Sequence, residues 1–237
     1  MEPEEYDLMD AAEDRMWWYR ALHTRLLKAL AQVHGNVLDA GCGTGGFLAR
    51  LRAGRPDLTL IGVEWSASAC RRAAAKSGVP IVRGSTDALP FAAAWFDGAV
   101  AADLLCHRAV DPDQTLAELR RILRPGGRLI VNMPAYAWLL SAHDRQVHNV
   151  RRSTVRRLAD MLTAAGFREV RARYWNSLLL PLMVAQRKLL TRNGAASDVA
   201  PFPPWLDGTL HAMTEIERRL PFTLPAGGSV LAIAERP

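Results

Sequence analysis

Residues 36–46 bring together side chains and glycines that could bind a nucleotide. Their sequence, NVLDAGCGTGG, satisfies the spacing G-x-G-x-x-G from Gly41 onward. Glycines at this spacing let the backbone turn tightly after a strand and approach a ligand closely. The stretch therefore predicts an adenosine-containing ligand, although the glycines alone do not distinguish a dinucleotide from another adenosine compound.

Asp39, two residues before Gly41, separates these ligand classes. A dinucleotide would place its pyrophosphate on this turn, where a nearby carboxylate repels it. S-adenosylmethionine instead carries an ammonium and a sulfonium group, and both cations would be attracted. A purely local role for Asp39, as a residue that stabilises the turn through backbone hydrogen bonds, stays open.

Two further acids follow the next two predicted strands. Glu64 ends LTLIGVE and is placed to accept hydrogen bonds from two ribose hydroxyls. Asp87 lies in GSTDALPF and is placed to accept from an adenine amino group, with Ala88 able to pack on the ring. Three acids on loops after three successive strands, around a glycine turn, indicate one adenosine site.

Alternating strands and helices must position these acids. Apolar runs predict strands at 36–40, 58–64, 79–84, 96–105, 128–134, 167–175 and 229–235. Helical spacing and capping residues predict helices at 6–32, 47–53, 66–78, 111–123, 153–166, 178–192 and 209–219. This alternation predicts an α/β fold with a doubly wound, mostly parallel sheet and helices on both faces. Ligands of such sheets bind at the carboxyl ends of the strands.

Composition narrows the class of protein. The 237 residues have a formal net charge of +6, and arginines are densest at 151–157 and 168–173. A scattered excess of this size is typical of a solvated surface, so no nucleic acid is expected, while attraction to acidic substrates or lipid headgroups stays open. The three cysteines are widely spaced, and the acidic N-terminal stretch does not resemble a signal peptide. We therefore expect a cytoplasmic protein without a membrane span.

Five motifs in order resemble those of class I S-adenosylmethionine-dependent methyltransferases. They are VLDAGCGTG, the strand end at Glu64, GSTDALPF, FDGAVAADLLCH and LAELRRILRPGGRLIVNMPAY, and they cover roughly residues 36–175. The resemblance implies a seven-stranded sheet whose last strand is antiparallel. It also implies S-adenosylmethionine as cofactor and S-adenosylhomocysteine as its product.

The resemblance assigns roles within one predicted domain, residues 1–237. Gly41 and Gly43 would carry the methionine part of the cofactor, Glu64 the ribose and Asp87 the adenine, with Asp103 between cofactor and substrate. Trp65, directly after Glu64, joins the predicted cofactor contacts. The predicted parts are an N-terminal helical lid (1–35), a cofactor-binding core (36–175), a variable helical cover (176–226) and a final strand (227–237).

Two segments supply the predicted substrate side. Residues 134–153 resemble a branch of the family with a His-Asp pair, so His143 with Asp144 is the predicted general base, although such a pair can also be a solvated turn. In this segment His148 and Asn149 stand where Gly and His are usual, which leaves the role of the usual histidine open. The RMWWYR segment at 15–20 predicts a lid, or a core stripe, that offers aromatic faces to a sulfonium. The other predicted contacts are Tyr19 for the cofactor and Trp18, Tyr136, His148, Asn149 and Arg152 for the substrate.

We therefore expect methyl transfer to the oxygen or nitrogen of a small-molecule acceptor, without a metal. The apolar stretch within 177–226 would suit a hydrophobic acceptor, or could simply be a helix pair packed on the sheet. The alternatives are methylation of RNA or another macromolecule, a cofactor-binding scaffold without activity, and a dehydrogenase. Asp39 argues against the dehydrogenase, and AADLLCH after the fourth strand lacks the usual base-methylation signature. The sequence leaves the acceptor and the oligomeric state open.

Overall fold

The computed structural model describes residues 3–186 and 202–237. Its strands are β1 (Asn36–Ala40), β2 (Thr59–Glu64), β3 (Ile81–Arg83), β4 (Phe96–Ala102), β5 (Leu123–Pro134), β6 (Arg168–Trp175) and β7 (Ser229–Glu235). They form one seven-stranded sheet in the order β3-β2-β1-β4-β5-β7-β6. β7 pairs antiparallel with both β5 and β6, whereas the pairings among β1 to β5 are parallel. The predicted fold class is confirmed.

Helices connect the strands and cover the sheet. They are α1 (Pro3–Ala12), α2 (Trp17–Ala29), α3 (Gly46–Gly54), α4 (Ala67–Ser77), α5 (Pro112–Ile122), α6 (Ala142–Gln146), α7 (Val155–Ala164), α8 (Leu180–Ala185) and α9 (Pro204–Arg219). The single helix predicted over 6–32 is in fact two helices, because residues 13–16 leave the helical conformation. The predicted loop at 193–208 and the end of the helix predicted at 178–192 fall mostly outside the described residues.

Local sequence signals account for most helix boundaries. The Ser66 hydroxyl accepts a hydrogen bond from the backbone N–H of Ala69, and Gly78 ends α4 in the left-handed conformation. Asp111 accepts from the backbone N–H of Asp113 at the start of α5. α7 was predicted to begin at Ser153, but the Thr154 side chain caps it by accepting from Arg157 N–H. These caps fix where each helix begins behind its strand.

Two of the three hydrophobic clusters among the described residues lie on opposite faces of the sheet. One face buries Leu38, Ala99 and Val131 against α5 and α7, while the other buries Val37 and Val100 against α2 and α3. Strand residues alternate between these clusters, as the two-residue period of a strand requires. Both faces are therefore occupied by helices, which leaves the carboxyl ends of the parallel strands as the place for a ligand.

A closed loop follows β5 and carries many predicted substrate residues. Residues 135 and 153 form a bridge that closes its base. Inside the loop, Arg152 Nη2 donates to both Asp144 oxygens at 2.9 and 2.8 Å, and Arg152 Nη1 donates to Ala135 O at 2.9 Å. Both side chains of the ion pair are only 3 % exposed. This buried, bidentate pair ties α6 to the two ends of the loop.

We predict that Asp144→Asn lowers the free energy of unfolding by about 3 kcal/mol, because it leaves the Arg152 charge buried without its carboxylate. Urea denaturation measures the change. Asp160→Asn is the matched control, since its pair with Arg156 lies in solvent, with side chains 92 % and 74 % exposed, and should leave stability unchanged. Equal effects of the two substitutions would contradict a structural role for the buried pair.

Among the described helices, none combines the length and the apolar character needed to cross a bilayer.

Candidate active site

A cavity of about 640 Å³ opens at the carboxyl ends of the parallel strands. Its walls include the glycine loop after β1, the residue after β2 and the loops after β3 and β4. Helices α1 and α2 close it from the other side, and residues from the loop after β5 and from α8 complete the wall. The topology therefore brings the predicted cofactor and substrate segments to one enclosed space.

The glycine loop approaches its neighbours too closely for side chains. Gly41, Gly43 and Gly45 have φ values of +75°, +55° and +89°. A Cβ on Gly45 would lie 2.6 Å from the Cα of Ala73, so α4 packs directly on the loop backbone. A loop of this kind can bring backbone N–H groups close to a ligand, as the sequence predicts.

Glu64 connects the glycine loop to the next strand. Its Oε2 accepts from Gly43 N–H at 3.1 Å, and its Oε1 accepts from Ser66 N–H at 2.9 Å. The Tyr6 hydroxyl in α1 also donates to Oε1, at 3.2 Å. Burial, together with the charge of Glu64, raises the pKa of Tyr6. A carboxylate that is already oriented by backbone donors is suited to receive hydroxyl groups of a ligand.

Asp39 lies buried beneath the loop, 3 % exposed. Burial raises its pKa to about 7, and the charges of Glu13 and Glu64 act in the same direction. Burial likewise raises the pKa of Glu13, against the opposing effect of Lys76. The carboxylates of Glu13, Asp39, Glu64 and Asp103 all reach the cavity wall. Glu13 and Glu64 repel Asp39, and Asp144 repels Asp103, so a bound cation would relieve both the repulsion and the cost of burial.

Asp103 is held by a chain of hydrogen bonds across three strands. Asn132 Nδ2 donates to Asp103 Oδ1 at 2.9 Å, and Trp175 Nε1 donates to Asn132 Oδ1 at 2.8 Å. Burial raises the pKa of Asp103 to about 7, although the Asn132 hydrogen bond and the charge of Arg152 lower it. Asp103 also has a left-handed backbone, with φ of +50°. The network fixes its carboxyl group in the cavity wall.

The two predicted adenine contacts lie beside the cavity wall, and their role stays a prediction. Asp87 and Ala88 do not line the cavity, whereas Ser85 and Thr86 do. The Asp87 carboxylate turns to the start of α5, where it accepts from the Thr115 hydroxyl and from Asp111 N–H. These two hydrogen bonds tie the loop after β3 to the start of α5.

Several predicted substrate residues do reach the cavity. Trp18, Asn149 and Arg152 line it, as do Tyr19, predicted for the cofactor, Asp144, predicted to act with His143, and His107. Burial lowers the pKa of His107 to about 4, so its ring is neutral at pH 7. Asp144 binds Arg152 through both oxygens, which gives it a structural partner as well as a place at the cavity.

Two other predicted substrate residues do not line the cavity. Tyr136 stacks on Trp138 and Tyr174, with ring centroids 5.6 and 5.3 Å apart, and this aromatic group holds it away from the ligand space. His148 lies in a left-handed turn between α6 and the end of the loop, with φ of +58°. The side chain of His143 falls outside the described part of the chain, so its role stays a prediction.

Helix α1 lies within the predicted N-terminal lid (1–35), and the cavity residues in and just after it were not named in the sequence analysis. Tyr6, Met9 and Glu13 line the cavity, and a Cβ on Gly43 would lie 2.8 Å from Met9 Cε. The helix is docked by Lys76 Nζ, which lies 2.5 Å from Glu13 Oε1. Arg72 and Lys76 of α4 also pair with Asp7 and Asp10 of α1. The acidic helix α1 is thus part of the site. In the sequence, the opposite charges of α1 and α4 are the signal for this docking.

The residues at the strand ends fit S-adenosylmethionine better than a dinucleotide. These residues offer carboxylates, which attract an ammonium or a sulfonium and accept hydrogen bonds from ribose hydroxyls. They also offer a glycine backbone that a ligand can approach closely. A pyrophosphate would instead face Asp39 and Glu13. The chemistry of the wall therefore supports the cofactor expected from the sequence.

Comparison with known proteins agrees with this geometry. Residues 38–131 match the family of the methyltransferase domain. An uncharacterised 37.1 kDa protein in transposon TN4556 of Streptomyces fradiae is 34% identical over 172 residues, 69% of this chain and 48% of that protein. The ubiquinone/menaquinone biosynthesis C-methyltransferase of Syntrophotalea carbinolica is 29% identical over 60% of this chain and 64% of its own length. The chain thus spans about half to two thirds of the length of these relatives.

A solved structure shares the fold over nearly the whole chain. It is a S-adenosylmethionine-dependent methyltransferase of Thermotoga maritima, described as a possible histamine N-methyltransferase. The two chains align with a TM-score of 0.62 at 20% identity, covering 99% of this chain and 96% of the other. This likeness establishes the common architecture.

We predict that S-adenosylhomocysteine raises the melting temperature and that NAD does not. Glu64→Gln should weaken S-adenosylhomocysteine binding at least about tenfold, because an amide loses charge-assisted hydrogen bonds with the ribose. Calorimetric titration measures the affinity. Glu118→Gln is the control, since Glu118 pairs with Arg121 outside the cavity. Stabilisation by NAD alone would overturn the cofactor assignment.

We also predict that S-adenosylmethionine affinity rises with pH. Asp39 has a pKa of about 7 in place of the usual 3.8, so the ligand-free protein keeps this proton between those values and loses it as pH rises through 7. A cation favours the ionised form, so affinity should increase about tenfold from about pH 5.5 to about pH 8. Asp39→Asn should make this profile shallower, with the remaining slope due to Asp103, whose pKa burial also raises to about 7, while Asp160→Asn, in solvent, should preserve it. A profile as steep in Asp39→Asn as in the unsubstituted protein would contradict the assignment.

Proposed function

We propose that this chain, which carries a class I S-adenosylmethionine-dependent methyltransferase domain, transfers a methyl group to the oxygen or nitrogen of a small molecule. The observation that carries the proposal is a single cavity that joins the buried acids to a more apolar, aromatic end. An enclosed space of about 640 Å³ suits a cofactor together with a small acceptor. We keep the cytoplasm as the proposed compartment.

The acidic end of the cavity would hold the cofactor. In our proposal Asp39, Gly41 and Gly43 receive its methionine part, and Glu64 receives the ribose hydroxyls. Trp65, which lines the cavity and is 71 % exposed, and Ser85 border the adenine. When bound, S-adenosylmethionine supplies a methyl group that its sulfonium charge activates for displacement.

The other end of the cavity would hold the acceptor. Met16, Trp17, Met183 and Phe202 contribute apolar surface there, from α2, α8 and the start of the α9 segment. Such walls exclude water and favour an acceptor that is largely apolar. Trp18 stacks at 6.1 Å on Trp175, the residue that supports Asn132, so the aromatic wall is braced on the same network as Asp103.

Proton removal is the second task when the accepting atom is a hydroxyl or an ammonium. We propose His143 as the base and Asp144 as the residue that anchors its helix. The support is positional, since Asp144, the next residue in the sequence, is buried and lines the cavity. Asp103, fixed by Asn132 in the cavity wall, would lie between cofactor and acceptor.

The proposal predicts that labelled methyl from S-adenosylmethionine enters the small-molecule fraction of an extract and not its RNA or protein. With the acceptor so recovered, His143→Ala should lower kcat about 100-fold and leave S-adenosylhomocysteine affinity unchanged. His148→Ala is the matched control in the same loop, since His148 does not line the cavity.

One result would contradict the small-molecule acceptor, and another would contradict the role of His143. Label confined to RNA or protein would exclude a small-molecule acceptor. Full activity of His143→Ala would remove His143 as the base, and would leave Asp103 and His107 as the ionisable groups of the acceptor wall to examine.

A further inference from the structure

Two buried polar atoms at the acceptor end of the cavity have unmet hydrogen-bonding capacity. Within residues 3–186 and 202–237, neither the indole N–H of Trp17 nor Oδ1 of Asn176 has a hydrogen-bond partner. Both residues line the cavity, and they are 8 % and 0 % exposed. A buried polar atom without a partner costs about 1–3 kcal/mol, so such atoms in a cavity wall point to a ligand or a bound water.

The fold brings these two residues to the same end of the cavity. Trp17 packs with Leu179, three residues beyond Asn176, in one hydrophobic cluster. Trp18 stacks on Trp175, with ring centroids 6.1 Å apart. The contacts of Trp17 with Leu179 and of Trp18 with Trp175 therefore hold the start of α2 against the turn between β6 and α8.

The side chains packed on Trp17 are apolar, and the carboxylates nearest to the two residues already have partners: Asp207 accepts from the Trp17 backbone N–H and pairs with Arg20, and Glu217 accepts from Ser177 N–H. Met16 and Phe202 pack against the cluster that contains Trp17, and the Asn176 amide nitrogen lies 3.4 Å from the Met183 sulfur, a weak acceptor. An uncharged polar group is favoured here, because an ion would lose its hydration among these side chains. One group must accept a hydrogen bond from Trp17 and one must donate to Asn176. A hydroxyl group does both.

We propose that Trp17 and Asn176 form a subsite for a hydroxyl group on an uncharged, mainly apolar acceptor. This inference rests on the proposed function and specifies its substrate class. The hydroxyl accepts from Trp17 Nε1–H and donates to Asn176 Oδ1, which anchors the acceptor in the apolar end of the cavity. The subsite selects between acceptors that differ only in this group.

Each residue also has an ordinary structural reason to be present. Asn176 has a left-handed backbone with φ of +60°, which asparagine tolerates better than most residues, and its C=O accepts from Gly228 N–H. Trp17 contributes ring surface to its cluster. Asn176→Gly keeps the backbone conformation and removes the amide, while Trp17→Phe keeps an aromatic ring and removes the N–H. The two substitutions therefore separate recognition from packing.

The test compares 2-naphthol with naphthalene on the full chain saturated with S-adenosylhomocysteine, by ligand-detected NMR titration. We expect the unsubstituted protein to bind 2-naphthol at least about fivefold more tightly, because only the hydroxyl satisfies the two buried atoms. In Trp17→Phe and in Asn176→Gly the ratio should fall towards one, with naphthalene affinity retained. Trp205→Phe is the control, since Trp205 is 72 % exposed outside the cavity, and should keep the preference.

Equal binding of the two probes by the unsubstituted protein would overturn the subsite, as would a ratio that both variants preserve. If one variant does not fold, the other decides, because each removes one of the two hydrogen bonds. The same samples report S-adenosylhomocysteine affinity. A lack of that binding would refute the proposed function, whereas its presence without a hydroxyl preference would refute only the subsite.

Discussion

Buried carboxylates at the ends of neighbouring strands are the constraint on which this site depends. Asp39 and Asp103 are held where burial raises the pKa of each to about 7, with Glu64 close by. Such a cluster is unfavourable while it has no cation. The parallel sheet enforces the cluster, because β1, β2 and β4 end at one edge. A cationic adenosine ligand resolves the conflict, whereas a pyrophosphate would increase it.

The surrounding elements maintain this arrangement. On one side, α1 covers the glycine loop through Tyr6 and Met9, and its acids are neutralised by Lys76 and Arg72 rather than by the ligand. On the other side, Asn132 of β5 donates a hydrogen bond to Asp103 and accepts one from Trp175 of β6. The acceptor end thus shares its framework with the cofactor end, so packing around Trp175 influences both.

The residues that could be predicted from the sequence are those fixed by the ends of strands. The positions of Asp39, Glu64 and Asp103 follow from the alternation of strands and helices. The direction of the Asp87 side chain depends on Asp111 and Thr115, which the sequence of its own loop does not show. Other features depend on partners that are distant in sequence: Tyr136 stacks on Tyr174 of β6, and Asn176 lines the same cavity as the start of α2. The sequence predicts an N-terminal lid but does not single out Tyr6, Met9 and Glu13, because the docking of this segment depends on α4.

The claim that the acids are poised for a cation is tested most directly by counting protons during binding. Titration calorimetry with S-adenosylmethionine near pH 7, in buffers of different ionisation enthalpy, gives the number of protons released. A cation that ionises Asp39 must release protons, and Asp39→Asn must release fewer. Binding without proton release in the unsubstituted protein, or equal release by Asp39→Asn, would contradict the account.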